Sequence, residues 1–209
     1  DVASKFGADR RSTRLVDGDS VTAYYANDFT LAEIKTLRAV QPRASRDQSF
    51  NGQFEIPTID EIIALAQSRS PASNTVGIYP EIKHSTFFQA ESLANGRPAT
   101  YFEDTLVAKL HAAYGNTANA PVFIQSFETS NLRYLNAQTD IKLVQLIDAN
   151  DVNNDGSLDL SGTFGRPYDL AVAGDTRTFA DLLTTEGLNV INDYADGIGP
   201  WKPYLVKTV

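Results

Sequence analysis

Apolar residues recur along this chain with two spacings, and the two spacings sort it into alternating strands and helices. The run Val76-Gly77-Ile78-Tyr79-Pro80-Glu81-Ile82-Lys83-His84 has the period of two that a strand imposes. Val76, Ile78 and Ile82 share one face; Gly77, Tyr79, Glu81 and Lys83 share the other. Residues 122–127 and 143–147 are apolar runs of strand length, and residues 195–200 read as a short fourth strand and turn. Between them the spacing becomes helical. Thr30-Leu31-Ala32-Glu33 and Thr58-Ile59-Asp60-Glu61 are capping boxes, predicting helices through Leu31, Ile34 and Leu37 and through Ile62, Ile63, Leu65 and Ala66. Residues 105–114 carry the stripe Leu106, Val107, Leu110 and Ala113 and stop at Gly115. Shorter helices are predicted around 132–135 and within 179–194. Residues 1–28 are polar and turn-rich, with an Asp17-Gly18 turn and a basic cluster (Arg10, Arg11, Arg14) read as a solvated loop. Strands alternating with helices predict one α/β domain over residues 1–209 with a parallel sheet and right-handed crossovers. No glycine-rich phosphate loop follows a strand, which favours a barrel over a nucleotide-binding open sheet.

Composition narrows the function. A chain of 209 residues with 42% hydrophobic content can bury one good core. The net charge of −8 argues against nucleic acid and anionic membrane as partners, and no apolar run approaches a membrane span. Without cysteine there is no disulfide or thiolate chemistry. The chain starts at Asp1 and contains no Met, so a processed chain or a portion of a longer one is expected.

The charges on the polar face of the 76–84 strand lie at its C-terminal end, where α/β folds place their chemistry. The motif Gly77-Ile78-Tyr79-Pro80-Glu81-Ile82-Lys83 resembles the central motif of the glycerophosphodiester phosphodiesterases, especially the bacterial periplasmic type. Gln125-Ser126-Phe127, Leu143-Val144-Gln145-Leu146-Ile147 and Tyr194-Ala195-Asp196-Gly197-Ile198-Gly199-Pro200 resemble the family's successive strand motifs, in its order. Asp1-Val2-Ala3 through Tyr24-Tyr25 and Asp28-Phe29-Thr30 resembles the segment after its second catalytic histidine. The likeness covers nearly the whole chain apart from the Asp-rich loop after residue 147.

The resemblance implies a (β/α)8 TIM-barrel type of fold, here a partial barrel, since only four strands are read and the full barrel takes roughly 250 residues. It implies metal-dependent hydrolysis of small-molecule glycerophosphodiesters to sn-glycerol 3-phosphate and an alcohol such as choline or ethanolamine. It implies a divalent cation, Ca2+ with Mg2+ as the alternative, and a periplasmic or secreted location. Within that likeness Glu81 is the metal ligand, and Lys83 is the catalytic lysine beside the substrate phosphate. The family's His-Arg-Gly strand, Glu-x-Asp metal pair, Val-x-His-Asp turn and last two strands are not in this sequence. The two histidines present, His84 and His111, read as structural or surface residues, not catalysts. The chain alone is therefore expected to be inactive, as the middle of a longer enzyme.

Substrate contacts are read from alternation. Phe123, Gln125 and Phe127 share a face, so Gln125 would present an amide near the site and Phe127 would wall the substrate glycerol. Trp201 lines the pocket mouth or anchors to the surface; Gln145 is a satisfied core amide or a substrate contact. A candidate second calcium loop is formed by Asp151, Asn153, Asp155, Ser157 and Asp159. With Gly156 and Leu158 these match the first nine positions of an EF-hand loop, but Gly162 stands at the twelfth and no helix precedes. An Asx-rich turn accounts for the same residues. The second functional reading is thus a non-catalytic calcium-binding or interaction module derived from the same barrel.

Overall fold

The computed structural model describes residues 2–71 and 73–206, which fall into two compact units, Asp1–Ser68 and Arg69–Val209. In the first unit a short helix α1 (Val2–Phe6) precedes a hairpin of β1 (Ser12–Val16) and β2 (Asp19–Ala23). The Asp17-Gly18 turn predicted from sequence closes it, with φ of 50° and 88°, the pair of positive values a two-residue hairpin loop demands. Both capping boxes form. Thr30 opens α2 (Leu31–Thr36) by accepting from the Glu33 N–H at 3.2 Å, and the Glu33 carboxylate accepts from the Thr30 N–H at 2.8 Å. Thr58 and Glu61 do the same for α3 (Ile59–Ser68), at 3.3 and 2.7 Å.

The arginine cluster is not the solvated loop the sequence suggested. Arg10 pairs with Glu33 at 3.0 Å and lies 4.4 Å from the Phe29 ring centre. Arg14 pairs with Asp28 and lies 4.4 Å from the Tyr25 ring. Each guanidinium combines an ion pair with an aromatic face, the two interactions its planar cation satisfies together. Polar residues here do the bracing that a small apolar core cannot.

The second unit is built on a parallel sheet of β3 (Phe123–Ser126), β4 (Lys142–Ile147) and β7 (Gly197–Pro200), with β4 in the centre. The 76–83 segment runs alongside β3, bridged in parallel at Ile78–Val122 and Glu81–Gln125. Its ladder bonds run from Ile78 N–H to Pro121 O (2.9 Å), Phe123 N–H to Ile78 O (3.1 Å), Gln125 N–H to Pro80 O (2.9 Å) and Ile82 N–H to Gln125 O (3.0 Å). The bond that position 80 would donate is missing because proline has no N–H, so the predicted strand is a pair of bridges instead of an unbroken one.

Helices cover one face of this sheet. α4 (Ser85–Ala94) and α5 (Tyr101–Tyr114) follow the 76–83 segment, and α6 (Thr129–Asn136) packs on β3 and β4. Val122, Ile124, Leu143 and Ile147 face them and are buried with Leu110, Leu132 and Leu135. Sequence periodicity found α5 and α6 but not α4. The Asp-rich loop after β4 forms a small hairpin, β5 (Asp151–Val152) against β6 (Leu158–Asp159), followed by α7 (Tyr168–Val172). The helix predicted within 179–194 is two, α8 (Phe179–Leu182) and α9 (Thr185–Asn192). Among the described residues the sheet does not close into a barrel, and no helix is long and apolar enough to cross a membrane.

Candidate active site

Residues paired in register across a parallel sheet point to the same side, so the register defines which side chains share the face away from the helices. Glu81 bridges Gln125, Gln125 pairs with Val144, Val144 with Gly197, and Leu146 with Gly199. Continuing the alternation adds Tyr79 and Lys83 on the first line, Phe123 and Phe127 on the second, Asp148 on the third and Trp201 on the fourth. Two contacts bear this out. The Lys83 ammonium lies 6.0 Å from the Phe127 ring centre, and the Tyr79 hydroxyl lies 3.3 Å from where a Cβ on Gly199 would stand. That Cβ would also come within 2.7 Å of Leu146 Cδ2, so glycine at 199 leaves the room Tyr79 occupies.

Glu81 and Lys83 are both exposed at the C-terminal edge of this face. Among the described residues neither is held in an ion pair, so both charges remain open to a ligand. Gln125 joins the same face, but its amide nitrogen donates to the Tyr79 carbonyl at 3.0 Å and so serves the backbone. Phe127 stands beside Lys83 and packs edge-on to Phe179 at 6.1 Å. Trp201 is partly exposed beyond β7, its backbone N–H donating to the Ile147 carbonyl at 2.7 Å. Gln145 lies on the helix side, fully buried. It donates to Phe127 O at 2.9 Å and Leu146 O at 3.0 Å and accepts from the Tyr194 hydroxyl at 2.9 Å. Of its two readings, the satisfied core amide is the one the geometry fits.

Asp148 was not singled out from sequence, although it is the first residue past β4 and has the parity of Val144 and Leu146. Burial pushes its carboxyl up; the Ala149 N–H at 3.0 Å and the nearby Lys83 ammonium pull the other way. The Tyr204 hydroxyl donates to the Asp148 carbonyl at 2.7 Å, and that phenol is pushed up to about 12 by burial and then by Asp148. The Tyr79 phenol is likewise raised, by burial and then by the Glu81 charge. The edge therefore sets an exposed ammonium between an exposed carboxylate and a partly buried carboxyl, against an aromatic wall. Such a setting suits a small anion carrying a short apolar body.

His111 lies elsewhere, its Nε2 sharing a hydrogen bond with Thr139 Oγ1 at 2.8 Å. A polar cavity of about 400 Å³ opens at the opposite, N-terminal ends of the strands, lined by Asn116, Thr139, Asp140 and Asp196. In the β5–β6 hairpin, Asp155 accepts from the Ser157 N–H and hydroxyl at 2.9 and 2.6 Å, and Asp159 from those of Ser161 at 2.8 and 2.6 Å. Asn153 donates to Ser157 Oγ at 3.0 Å, and Asp151 pairs in register with Asp159. Among the described residues, no three His, Cys, Asp or Glu side chains converge to hold a metal ion.

An α/β unit with a parallel sheet and charged residues at its C-terminal edge defines a class, and comparison with known proteins narrows it. The model of the glycerophosphoryl diester phosphodiesterase family matches residues 8–192, and the chain belongs to that family. It is 37% identical over 216 aligned residues to glycerophosphodiester phosphodiesterase GDPD6 of Arabidopsis thaliana, covering 99% of this chain and 51% of that protein. It is 27% identical over 220 residues to a glycerophosphodiester phosphodiesterase of Haemophilus influenzae, covering 96% of this chain and 53% of that protein. The chain thus spans about half the length of the curated relatives it matches.

Proposed function

We propose that the parallel sheet is an arc of a (β/α)8-type barrel whose C-terminal edge takes the phosphate of a glycerophosphodiester. The reaction is hydrolysis to sn-glycerol 3-phosphate and an alcohol. The observation that carries this reading is the exposed Lys83 ammonium against Phe127, flanked by Glu81 and Asp148, in a chain of this family. The names of the two relatives support the substrate class. Lys83 neutralises charge that builds on the phosphoryl oxygens, Phe127 covers the glycerol carbons, and Trp201 stands at the rim.

Glu81 is the carboxylate this chain offers a divalent cation, Ca2+ by preference or Mg2+. Such a cation takes about six to eight oxygen ligands, and one carboxylate is far from that set. Among the described residues the donors do not fit a complete cation shell, so no step is routed through one. Proton transfer to the leaving alkoxide also needs an acid, and His111, engaged with Thr139, does not supply it. The chain by itself is therefore proposed to bind the phosphate product without turning substrate over. Calorimetric titration of sn-glycerol 3-phosphate into the chain tests this. Lys83→Ala is expected to weaken binding about tenfold, the scale of one charge-assisted hydrogen bond. Equal affinity in wild type and Lys83→Ala would remove the phosphate from this edge.

A further inference from the structure

We propose that Glu128, with Ser126, is a positioning residue for Lys83: a buried carboxylate that ties both flanks of Lys83 to both flanks of Phe127. The inference rests on the proposed function of the sheet edge. Glu128 is only 3% exposed, and a carboxylate so buried is found where donors converge on it. Here the start of α4 supplies donors. The Thr86 N–H reaches its two oxygens at 3.1 and 3.0 Å, and the Thr86 hydroxyl donates to it as well. The Glu128 N–H donates to Ser126 Oγ at 3.1 Å, and Ser126 Oγ–H donates to the Ile82 carbonyl at 3.2 Å. Residues 82 and 86 are thereby fixed to residues 126 and 128, and the Lys83 ammonium faces Phe127 between the two ties.

The segment between the ties needs such holding. His84 has φ 55° and ψ 48°, a left-handed conformation that a residue with a Cβ keeps only when its surroundings impose it. His84 is also the N-cap position of α4, and its side chain caps nothing. Glu128 fills that role from another element, its oxygens accepting from the Thr86 N–H at the helix start. A helix that begins one residue too early or too late would rotate Lys83 off its face of the sheet.

The test uses the chain with four substitutions: Glu128→Gln, Thr86→Val, Thr86→Ser and Phe87→Leu. Phe87 is buried in α4 and its side chain is no part of the Thr86–Glu128 hydrogen bonds, so Phe87→Leu loosens the helix with those bonds retained. Three quantities are read: affinity for sn-glycerol 3-phosphate, the Lys83 Cε–H NMR signal, and the thermal midpoint. Glu128→Gln and Thr86→Val are expected to displace the Lys83 signal and weaken binding at least fivefold. Thr86→Ser, which keeps both donors, retains wild-type values, and Phe87→Leu lowers the midpoint only. Should Glu128→Gln fail to fold, Thr86→Val carries the same comparison. If the clamp variants lower the midpoint but leave the Lys83 signal and affinity as in Phe87→Leu, the positioning role is overturned. If wild type binds no sn-glycerol 3-phosphate, the functional reading falls separately, and the Lys83 signal still decides the clamp.

Discussion

Asp148 sits close enough to Lys83 for the two charges to feel each other, and any phosphate that docks on the ammonium must share it with that carboxylate. Removing the charge relieves the competition. Asp148→Asn is therefore expected to tighten sn-glycerol 3-phosphate binding a few-fold at neutral pH, measured by calorimetry; weaker binding would mean Asp148 helps orient the ligand instead. Stability should move with it. The folded carboxyl is raised above its ordinary value, so the native state holds its proton more tightly than the unfolded chain does. That contribution is complete below the ordinary carboxylate range and is lost as pH rises through the raised value. Asp148→Asn should raise the thermal midpoint at neutral pH and flatten its dependence on pH over that interval. Glu103, raised by burial and bonded to Ser85 Oγ at 2.7 Å, has the same sign, and Glu103→Gln should stabilise the second unit at neutral pH.

At the scale of elements, what could be read from sequence is what is decided nearby. The boxes at Thr30 and Thr58 join residues three positions apart, and both formed. α4 escaped because its cap, Glu128, lies 42 residues from Thr86 along the chain. The β1–β2 hairpin escaped although its turn was seen, because its strands are polar and are braced by Arg10 and Arg14 rather than by alternating apolar residues. Pro80 broke the ladder of a strand whose face pattern was otherwise correct. The α2 cap gives a direct check on the local reading. Glu33 is held at about 2, first by the Arg10 hydrogen bond and then by the Thr30 N–H, against an ordinary 4.5. Its contribution is present above 4.5 and is lost as pH falls toward 2, so Glu33→Gln should flatten acid unfolding of the first unit across that window. Thr30→Ala should cost about 1 kcal/mol, the usual value of an N-cap side chain, in a urea titration. An unchanged acid midpoint in Glu33→Gln would show that other carboxylates govern it.

For the molecule as a whole, the order of motifs placed the strands correctly, while alternation alone decided which residues share one face of the sheet. Lys83, Glu81, Gln125 and Phe127 were legible because each lies within a run whose parity is fixed by aliphatic neighbours. Asp148 was not, because it falls just past the run, among the aspartates of a loop. Glu81, the proposed metal ligand, would be one of a shell that needs several. In the protein as its host makes it, Glu81→Ala is expected to lower glycerophosphocholine hydrolysis by roughly ten- to a hundredfold or more, as lost ligand support commonly does. Asp155→Asn and Asp159→Asn should leave that rate unchanged, their carboxylates being engaged within the hairpin. A loss with the hairpin variants and none with Glu81→Ala would reverse the assignment.

The claim on which the rest depends is that phosphate meets the sheet at the C-terminal edge beside Lys83. Amide NMR signals followed through a titration with sn-glycerol 3-phosphate test it most directly, because the polar cavity at the N-terminal ends is an internal competitor. Saturable shifts are expected at residues 81–86, 125–128 and 147–149, with residues 116–118 and 139–141 unmoved. Shifts confined to the latter, or none at either end, would contradict it.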